Sequence, residues 1–137
     1  MTKVELLKYL SEMFDFKTVT DENGNEYVIY AHSGITEIGS EVEDKTQFEA
    51  VENHIHLIDN VKKSDFEELV EIGRVLGETQ LNALKAKYPD KEFCVFVSVN
   101  VGDSMIIRFH QVWENEFVYY NPDDFNSDKT KVLMFRK

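Results

Sequence analysis

The sequence predicts an α+β domain: a mainly antiparallel β-sheet of about six strands, with two helices, residues 3–14 and 65–88, packed on one face. Extended apolar segments follow one another with short turns between them, which is typical of antiparallel hairpins. Strand and helix do not alternate regularly, as a parallel sheet would require. The chain has 137 residues, enough for one domain with a substantial core, so we expect a single domain over 1–137.

The first helix is predicted from its start signal and its apolar spacing. Thr2 and Glu5 have the Thr-x-x-Glu spacing of a capping box, in which each side chain accepts a hydrogen bond from the other residue's backbone N–H. The apolar residues that follow at helical spacing are Leu6, Leu7, Leu10, Met13 and Phe14. We therefore expect an amphipathic helix whose apolar stripe covers part of the sheet.

A β-hairpin and an acidic loop are predicted next. Extended segments 15–21 and 26–31 flank Asn23-Gly24, a residue pair that favours a tight turn between antiparallel strands. Residues 32–47 contain few apolar side chains and read as an exposed loop. The acids of this loop are Glu37, Glu41, Glu43 and Asp44.

Residues 51–58 alternate between apolar and polar side chains, which indicates a half-buried strand. Ile55 and Leu57 share one face of this strand, and His54 and His56 share the other. The strand should therefore expose its histidines.

The main helix is predicted over 65–88. Ser64 and Glu67 have capping-box spacing, and apolar residues keep to helical spacing up to Pro89. Gly73 and Gly77 fall on the apolar face, where a missing side chain lets the helix backbone approach the sheet closely. The alternative is a break near Gly77 that divides the helix in two.

Two longer strands, 92–100 and 104–113, are predicted to pair. Three residues, 101–103, connect these strands. An odd-numbered connection between antiparallel strands pairs odd-numbered residues with odd-numbered ones, so the apolar sets of both strands can share the helix-covered face. Arg108 and His110 then point to the opposite face. The apolar sets are Val95, Val97 and Val99, with Met105, Ile107, Phe109 and Trp113. The remaining extended segments are 117–120 and 131–135.

Charge and composition exclude several classes of protein. Acidic residues outnumber basic ones 26 to 15, for a formal net charge of -11, and Lys and Arg do not cluster, so nucleic-acid binding is not expected. Apolar runs are too short for a signal peptide or a membrane span, so no membrane partner is expected. The single cysteine, Cys94, lies in an apolar strand where a buried, reduced thiol is expected. We predict a cytoplasmic protein.

No motif for catalysis or for a cofactor is present, and we predict neither. One alternative is an enzyme that uses a metal or small ligand on the open sheet face. Two histidines two apart on a strand, His54 and His56, can reach one metal ion, and His110 could be a third ligand on a neighbouring strand, with Arg108 beside it. Solvated histidines on the polar side of a strand are the simpler interpretation, so we predict no metal.

The leading hypothesis is a small acidic protein that binds a basic protein partner, in the manner of an immunity protein or antitoxin, because a strongly negative surface steers association with a basic one. Segment 113–125 interleaves aromatic and acidic residues, as protein interfaces do. Its predicted partner-binding residues, in addition to those of loop 32–47, are Trp113, Glu114, Glu116, Tyr119, Tyr120, Asp123 and Asp124. A further alternative is a homo-oligomer that associates through the helix-free sheet face; the sequence does not determine the oligomeric state.

Overall fold

The computed structural model describes residues 2–39 and 42–137. It confirms the α+β class: these residues form three α-helices and six antiparallel strands. None of the helices in this part of the chain is both long and apolar enough to cross a membrane. The elements are α1 Lys3–Glu12, β1 Phe16–Thr20, β2 Glu26–Tyr30, α2 Lys45–Glu52, β3 His54–Ile58, α3 Phe66–Lys87, β4 Phe93–Asn100, β5 Met105–Gln111 and β6 Thr130–Arg136.

The strands form two sheets rather than the one that was expected. β3, β5, β4 and β6 form a four-stranded sheet in that order, and β1 and β2 form a separate hairpin. The hairpin itself has the predicted turn, with Gly24 at φ 85° and Thr20 opposite Glu26. Side chains, rather than strand pairing, join β2 to β5: Glu49 of α2 bonds to both strands, and Gln111 of β5 donates to the Glu26 carbonyl oxygen of β2.

The predicted register of β4 and β5 is confirmed. Val97 pairs with Ile107 and Val95 with Phe109, and all four are fully buried in the main core with residues of α3. On the opposite face, Arg108 pairs with Phe96. The parity argument therefore placed the paired apolar residues of β4 and β5 under α3. Trp113, which was expected on the same face, lies beyond the end of β5 and packs against Tyr27 of the hairpin instead.

Helix α3 is continuous, so the alternative of a break near Gly77 is wrong. A Cβ atom on Gly73 would lie 2.9 Å from Val97 Cγ1, and one on Gly77 would overlap the ring of Phe135. The glycines therefore permit the close approach that was predicted. The helix begins one residue later than expected because the short 3-10 turn Lys63–Asp65 precedes it.

The other two helices correct the predicted boundaries. α1 has the expected capping box but ends at Glu12, and each of its residues keeps part of its surface exposed, so it covers the core less than α3 does. The acidic loop is shorter than predicted because Asp44 accepts a hydrogen bond from the Gln47 N–H and starts α2. α2 continues through residues 51 and 52, so the strand begins at His54.

The apolar residues form three clusters. The main cluster lies between α3, the four-stranded sheet and one face of the hairpin, and a second lies on the hairpin's other face. The third covers the helix-free face, where Val112, Val118, Tyr119 and Tyr120 pack over Cys94 and its neighbours. Cys94 is fully buried as predicted, and burial raises the pKa of its thiol to about 11.

Candidate functional site

The two segments predicted to bind a partner, 32–47 and 113–125, meet at the first turn of α2. The Glu116 carboxylate accepts hydrogen bonds from the backbone N–H groups of Thr46, at 2.7 Å, and Lys45, at 3.3 Å. The Lys45 Nζ atom lies 3.7 Å from Glu116 Oε2. Helix N-termini have free N–H groups that attract carboxylates. The two segments therefore form one joined structure.

A tight turn presents an aromatic side chain next to this junction. The Glu116 N–H donates to the Trp113 carbonyl oxygen at 3.3 Å, and Asn115 takes a left-handed conformation with φ 63°. Asparagine tolerates this conformation better than most residues. The next side chain, Phe117, is 94% exposed. Residues 113–119 are called the anchor loop below.

A cleft of about 380 Å³ lies beside this junction, lined by the anchor loop and the start of α2. The Glu43 side chain is exposed, and the Asp44 side chain also caps α2. Two exposed carboxylates thus stand on the helix side, and the loop side carries apolar groups next to the capping carboxylate of Glu116; we call this the acidic cleft. Its lining includes Glu43, Asp44 and Gln47 on the helix side and Phe117, Val118 and Tyr119 on the loop side.

Glu116 acts within the fold, although the sequence predicted it as a partner contact. Partial burial disfavours its charge, but its hydrogen bonds with Thr46 and Lys45 more than offset this effect and lower the pKa of Glu116 below its ordinary value. Glu116 therefore holds the anchor loop against α2 as a charged cap. The exposed acids of the surface are the better candidates for contact with a partner.

Tyr119 and Tyr120 have a similar structural role. The Arg108 Cζ atom lies 4.9 Å from the ring centre of Tyr119 and 5.5 Å from that of Tyr120, as in cation–π contacts. Arg108 also donates to the Ala50 carbonyl oxygen at 2.9 Å. The arginine thus joins the loop over the helix-free face to the C-terminal end of α2, where a positive charge is favourable.

The other predicted partner residues are distributed more widely. Glu41 lies outside the described residues. Asp123 and Asp124 belong to the 3-10 turn Pro122–Asp124, and the next residue, Phe125, packs against Tyr120 with ring centres 5.4 Å apart. The exposed acids of the predicted set are Glu37, Glu43, Asp44, Glu114, Asp123 and Asp124.

A buried carboxylate supports the anchor loop from below. Glu49 on α2 is fully buried, and its Oε1 atom accepts hydrogen bonds from the Trp113 indole N–H at 2.7 Å and the Gln111 backbone N–H at 2.8 Å. Its Oε2 atom accepts from Val28 N–H at 2.9 Å and Gln111 Nε2 at 2.8 Å. Burial raises the pKa of Glu49 to about 7, because these donors offset only part of the desolvation.

Asn53, four residues further along the chain, continues this connection between the sheets. Its Oδ1 accepts from the Tyr30 N–H at 3.2 Å, and its Nδ2 donates to the Val28 carbonyl oxygen at 2.8 Å. The Phe109 N–H donates to the Asn53 carbonyl oxygen at 3.2 Å. Glu49 and Asn53 therefore join β2 to β5, and neither was singled out in the sequence.

The three histidines of the alternative metal site have different surroundings: the rings of His54 and His56 adjoin, with centres 5.5 Å apart, whereas His110 lies in the interior. His110 is buried; its Nε2 accepts from the Tyr119 N–H at 3.1 Å, so its Nδ1 carries the proton and donates to the Gln111 carbonyl oxygen at 2.7 Å. Burial lowers the pKa of His110. His56 Nδ1 lies 3.2 Å from Asp59 Oδ1. Within residues 2–39 and 42–137, no group of three or more His, Cys, Asp or Glu residues could hold a metal ion.

Phe117 is exposed, although the sequence pattern did not mark it as a partner-binding residue. Its predicted partner-binding neighbours Trp113, Tyr119 and Tyr120 each have contacts within the fold. The signal for Phe117 was its place directly after Asn115-Glu116 in a turn, where a large side chain has no strand partner to cover it.

Comparison with protein families shows that the chain belongs to the uncharacterized protein PM0498 family, whose model matches residues 4–136. No curated protein and no solved structure matches the chain. The matched segment includes both the acidic cleft and the anchor loop.

Proposed function

We propose that this member of the PM0498 family is a cytoplasmic binding protein that captures a basic protein partner, in the manner of an immunity protein or antitoxin. The observation that carries the proposal is the exposure of Phe117, at 94%, beside the acidic cleft. An aromatic side chain surrounded by charge is the usual composition of an interface anchor and its rim. Phe117 is the anchor, and Glu43, Asp44 and Glu114 provide the rim.

The net charge supports the same choice of partner. A formal charge of -11 attracts a positively charged protein over distances comparable with the Debye length and accelerates association. A nuclease-type toxin is one example, because its phosphate-binding surface is basic and an acidic surface can occupy it. Charge explains the rate of association, and the anchor explains how long the complex persists.

The alternative functions have less support. An enzyme based on the histidines would need their imidazoles free to share a ligand, but both ring nitrogens of His110 are hydrogen-bonded within the fold. A homo-oligomer through the helix-free face would need a broad apolar surface there. The aromatic residues Tyr119 and Tyr120 and their apolar neighbours already pack on much of that face.

The test begins with capture from the native cell. The protein and a Phe117→Ala variant are used as baits, the captured protein is purified, and its association and dissociation rates are measured. We expect a basic partner whose dissociation is at least about tenfold faster from Phe117→Ala, as for a hot-spot residue. Val75→Ala is the control, because Val75 is also exposed, at 65%, but lies on α3. An acidic partner, or equal dissociation from all three proteins, would contradict the proposal.

Salt dependence tests the electrostatic part. Association should slow markedly from 0.01 M to 0.15 M salt, because the Debye length falls from about 30 Å to about 8 Å. The double change Glu43→Gln with Glu114→Gln should slow association more than Glu68→Gln with Glu78→Gln, which removes the same charge from α3. Equal effects of the two double variants would show that the acidic cleft is not the contact surface.

A further inference from the structure

Glu49 connects the interior of the fold to the partner surface. Each of its carboxylate oxygens accepts two N–H groups, and these come from Val28 on β2, from Gln111 on β5 and from Trp113 in the anchor loop. One side chain thus holds three parts of the chain together. A fully ionised carboxylate can accept all of these hydrogen bonds at once.

No cation balances this carboxylate: in the described part of the chain, no salt bridge includes Glu49. A buried charge without a counter-ion is costly, so proton uptake is the available way to reduce the cost. The charged and titratable groups on the surrounding elements have other partners: Lys45 with Glu116, Arg108 with Ala50, His110 with Tyr119, Tyr27 with Asp21, Glu52 with Ser33 and Glu26 with Lys91.

We propose that Glu49 is a proton-operated latch for the anchor loop: the ionised carboxylate holds the Trp113 indole in place, and the protonated form releases it. Because the anchor loop presents Phe117, the latch makes capture of the partner dependent on pH. This second statement rests on the proposed function, whereas the latch itself does not.

Protonation must break at least one of the four hydrogen bonds. The new O–H is a donor, and every position around the carboxylate already faces an N–H group. The N–H groups of Val28 and Gln111 are fixed in the backbone, and Gln111 Nε2 also donates to the Glu26 carbonyl oxygen at 2.9 Å. Trp113 is the half-buried member, so its indole can turn toward water at the smallest cost.

The latch operates near neutral pH. Burial raises the pKa of Glu49 to about 7. In the structure, the Trp113 ring also contacts the Tyr27 ring, with ring centres 5.4 Å apart. The Lys45 Nζ atom lies 5.6 Å from the centre of the Trp113 ring. The Trp113 carbonyl closes the turn with Glu116. A shift of Trp113 therefore alters the turn that precedes Phe117.

The experiment uses the fact that the chain has one tryptophan. The indole N–H resonance of Trp113 and the carboxyl carbon of Glu49 are followed by NMR from pH 5 to 9, together with the four histidines. We expect both resonances to titrate with one midpoint near pH 7, and Trp113 fluorescence to change with the same midpoint. The transition should be absent in Glu49→Gln and retained in Glu52→Gln, a control on the same helix.

Different midpoints for Trp113 and Glu49, or no transition in either, would overturn the latch, as would persistence of the transition in Glu49→Gln. A Trp113 midpoint that follows a histidine would assign the change to that histidine and equally refute it. If Glu49→Gln does not fold, agreement or disagreement between the Trp113 and Glu49 midpoints of the wild-type protein still tests the latch.

The pH dependence of partner affinity tests separately whether the latch controls binding. If only the ionised latch binds, a midpoint near 7 predicts an affinity about tenfold weaker at pH 6 than at pH 8, since affinity scales with the competent fraction. A titrating latch with no basic partner would refute the proposed function and leave the latch. A basic partner bound with no such pH dependence would refute the coupling.

Discussion

Helices α3 and α2 contact the same sheet in two different ways. α3 packs on it through apolar surface, with Gly73 and Gly77 allowing a close approach. α2 is joined to β2 and β5 by hydrogen bonds of two buried polar side chains, Glu49 and Asn53. Apolar contact contributes stability without requiring one direction, whereas hydrogen bonds fix direction. The helix that lines the acidic cleft is therefore the one whose orientation is set by polar contacts.

A substitution in the apolar core under α3 should have the largest effect on the free energy of unfolding. Ile107→Ala removes a fully buried side chain from the main core and should lower the free energy of unfolding by about 2–5 kcal/mol. Chemical denaturation monitored by circular dichroism gives this value. Val75→Ala, on the outer surface of α3, is the control and should stay within about 0.5 kcal/mol. A loss below 1 kcal/mol for Ile107→Ala would contradict the packing of the core.

The contribution of the buried carboxylate Glu49 to the free energy of unfolding should depend on pH. Burial raises the pKa of Glu49 in the folded protein to about 7, above its ordinary value of 4.5, so its contribution to stability is complete below pH 4.5 and is lost as the pH rises through 7. Wild-type stability should therefore fall relative to Glu49→Gln by up to about 1.4 kcal/mol per pH unit in that window. Ionisation costs stability because desolvation exceeds the gain from the fourth hydrogen bond. Denaturation curves of both proteins from pH 4.5 to 8 test this, and parallel pH profiles would contradict it.

This contrast also explains how much the sequence could predict. The register of β4 and β5 followed from the parity of Val97 and Ile107, because apolar residues report which face is buried. α2 was not predicted: residues 45–47 fell in the expected loop and 51–52 in the expected strand. Its buried residues include the polar Thr46 and Glu49, and Asn53 caps its end, and such residues normally indicate solvent. Segments 32–47 and 113–125 contact each other in the fold, as one surface formed from both would require, whereas the exposure of Phe117 depends on the turn at Asn115.

His110 should show a pH effect of the opposite sign to that of Glu49. Burial lowers its pKa, and Nε2 must stay unprotonated to accept the Tyr119 N–H. Its contribution to stability is therefore present above pH 6.5 and is lost as the pH falls through the lowered pKa. We expect its ring resonances to titrate below the ordinary histidine value of about 6.5, with faster exchange of the Tyr119 N–H in acid. A His110 midpoint at or above about 6.5 would contradict this arrangement.

The exposed histidines of β3 should show the smallest effect. His54 and His56 point to solvent on the polar side of an edge strand. The His54 ring contacts the Val51 carbonyl oxygen at the end of α2 and the ring of His56, with ring centres 5.5 Å apart. The double change to Ala should therefore alter the free energy of unfolding by no more than about 1 kcal/mol. The purified, untagged protein should also contain no stoichiometric transition metal by elemental analysis. Near-stoichiometric zinc in the wild-type protein that is lost in the double variant would contradict this prediction. The two imidazoles on one strand would then bind a metal ion that contributes to stability.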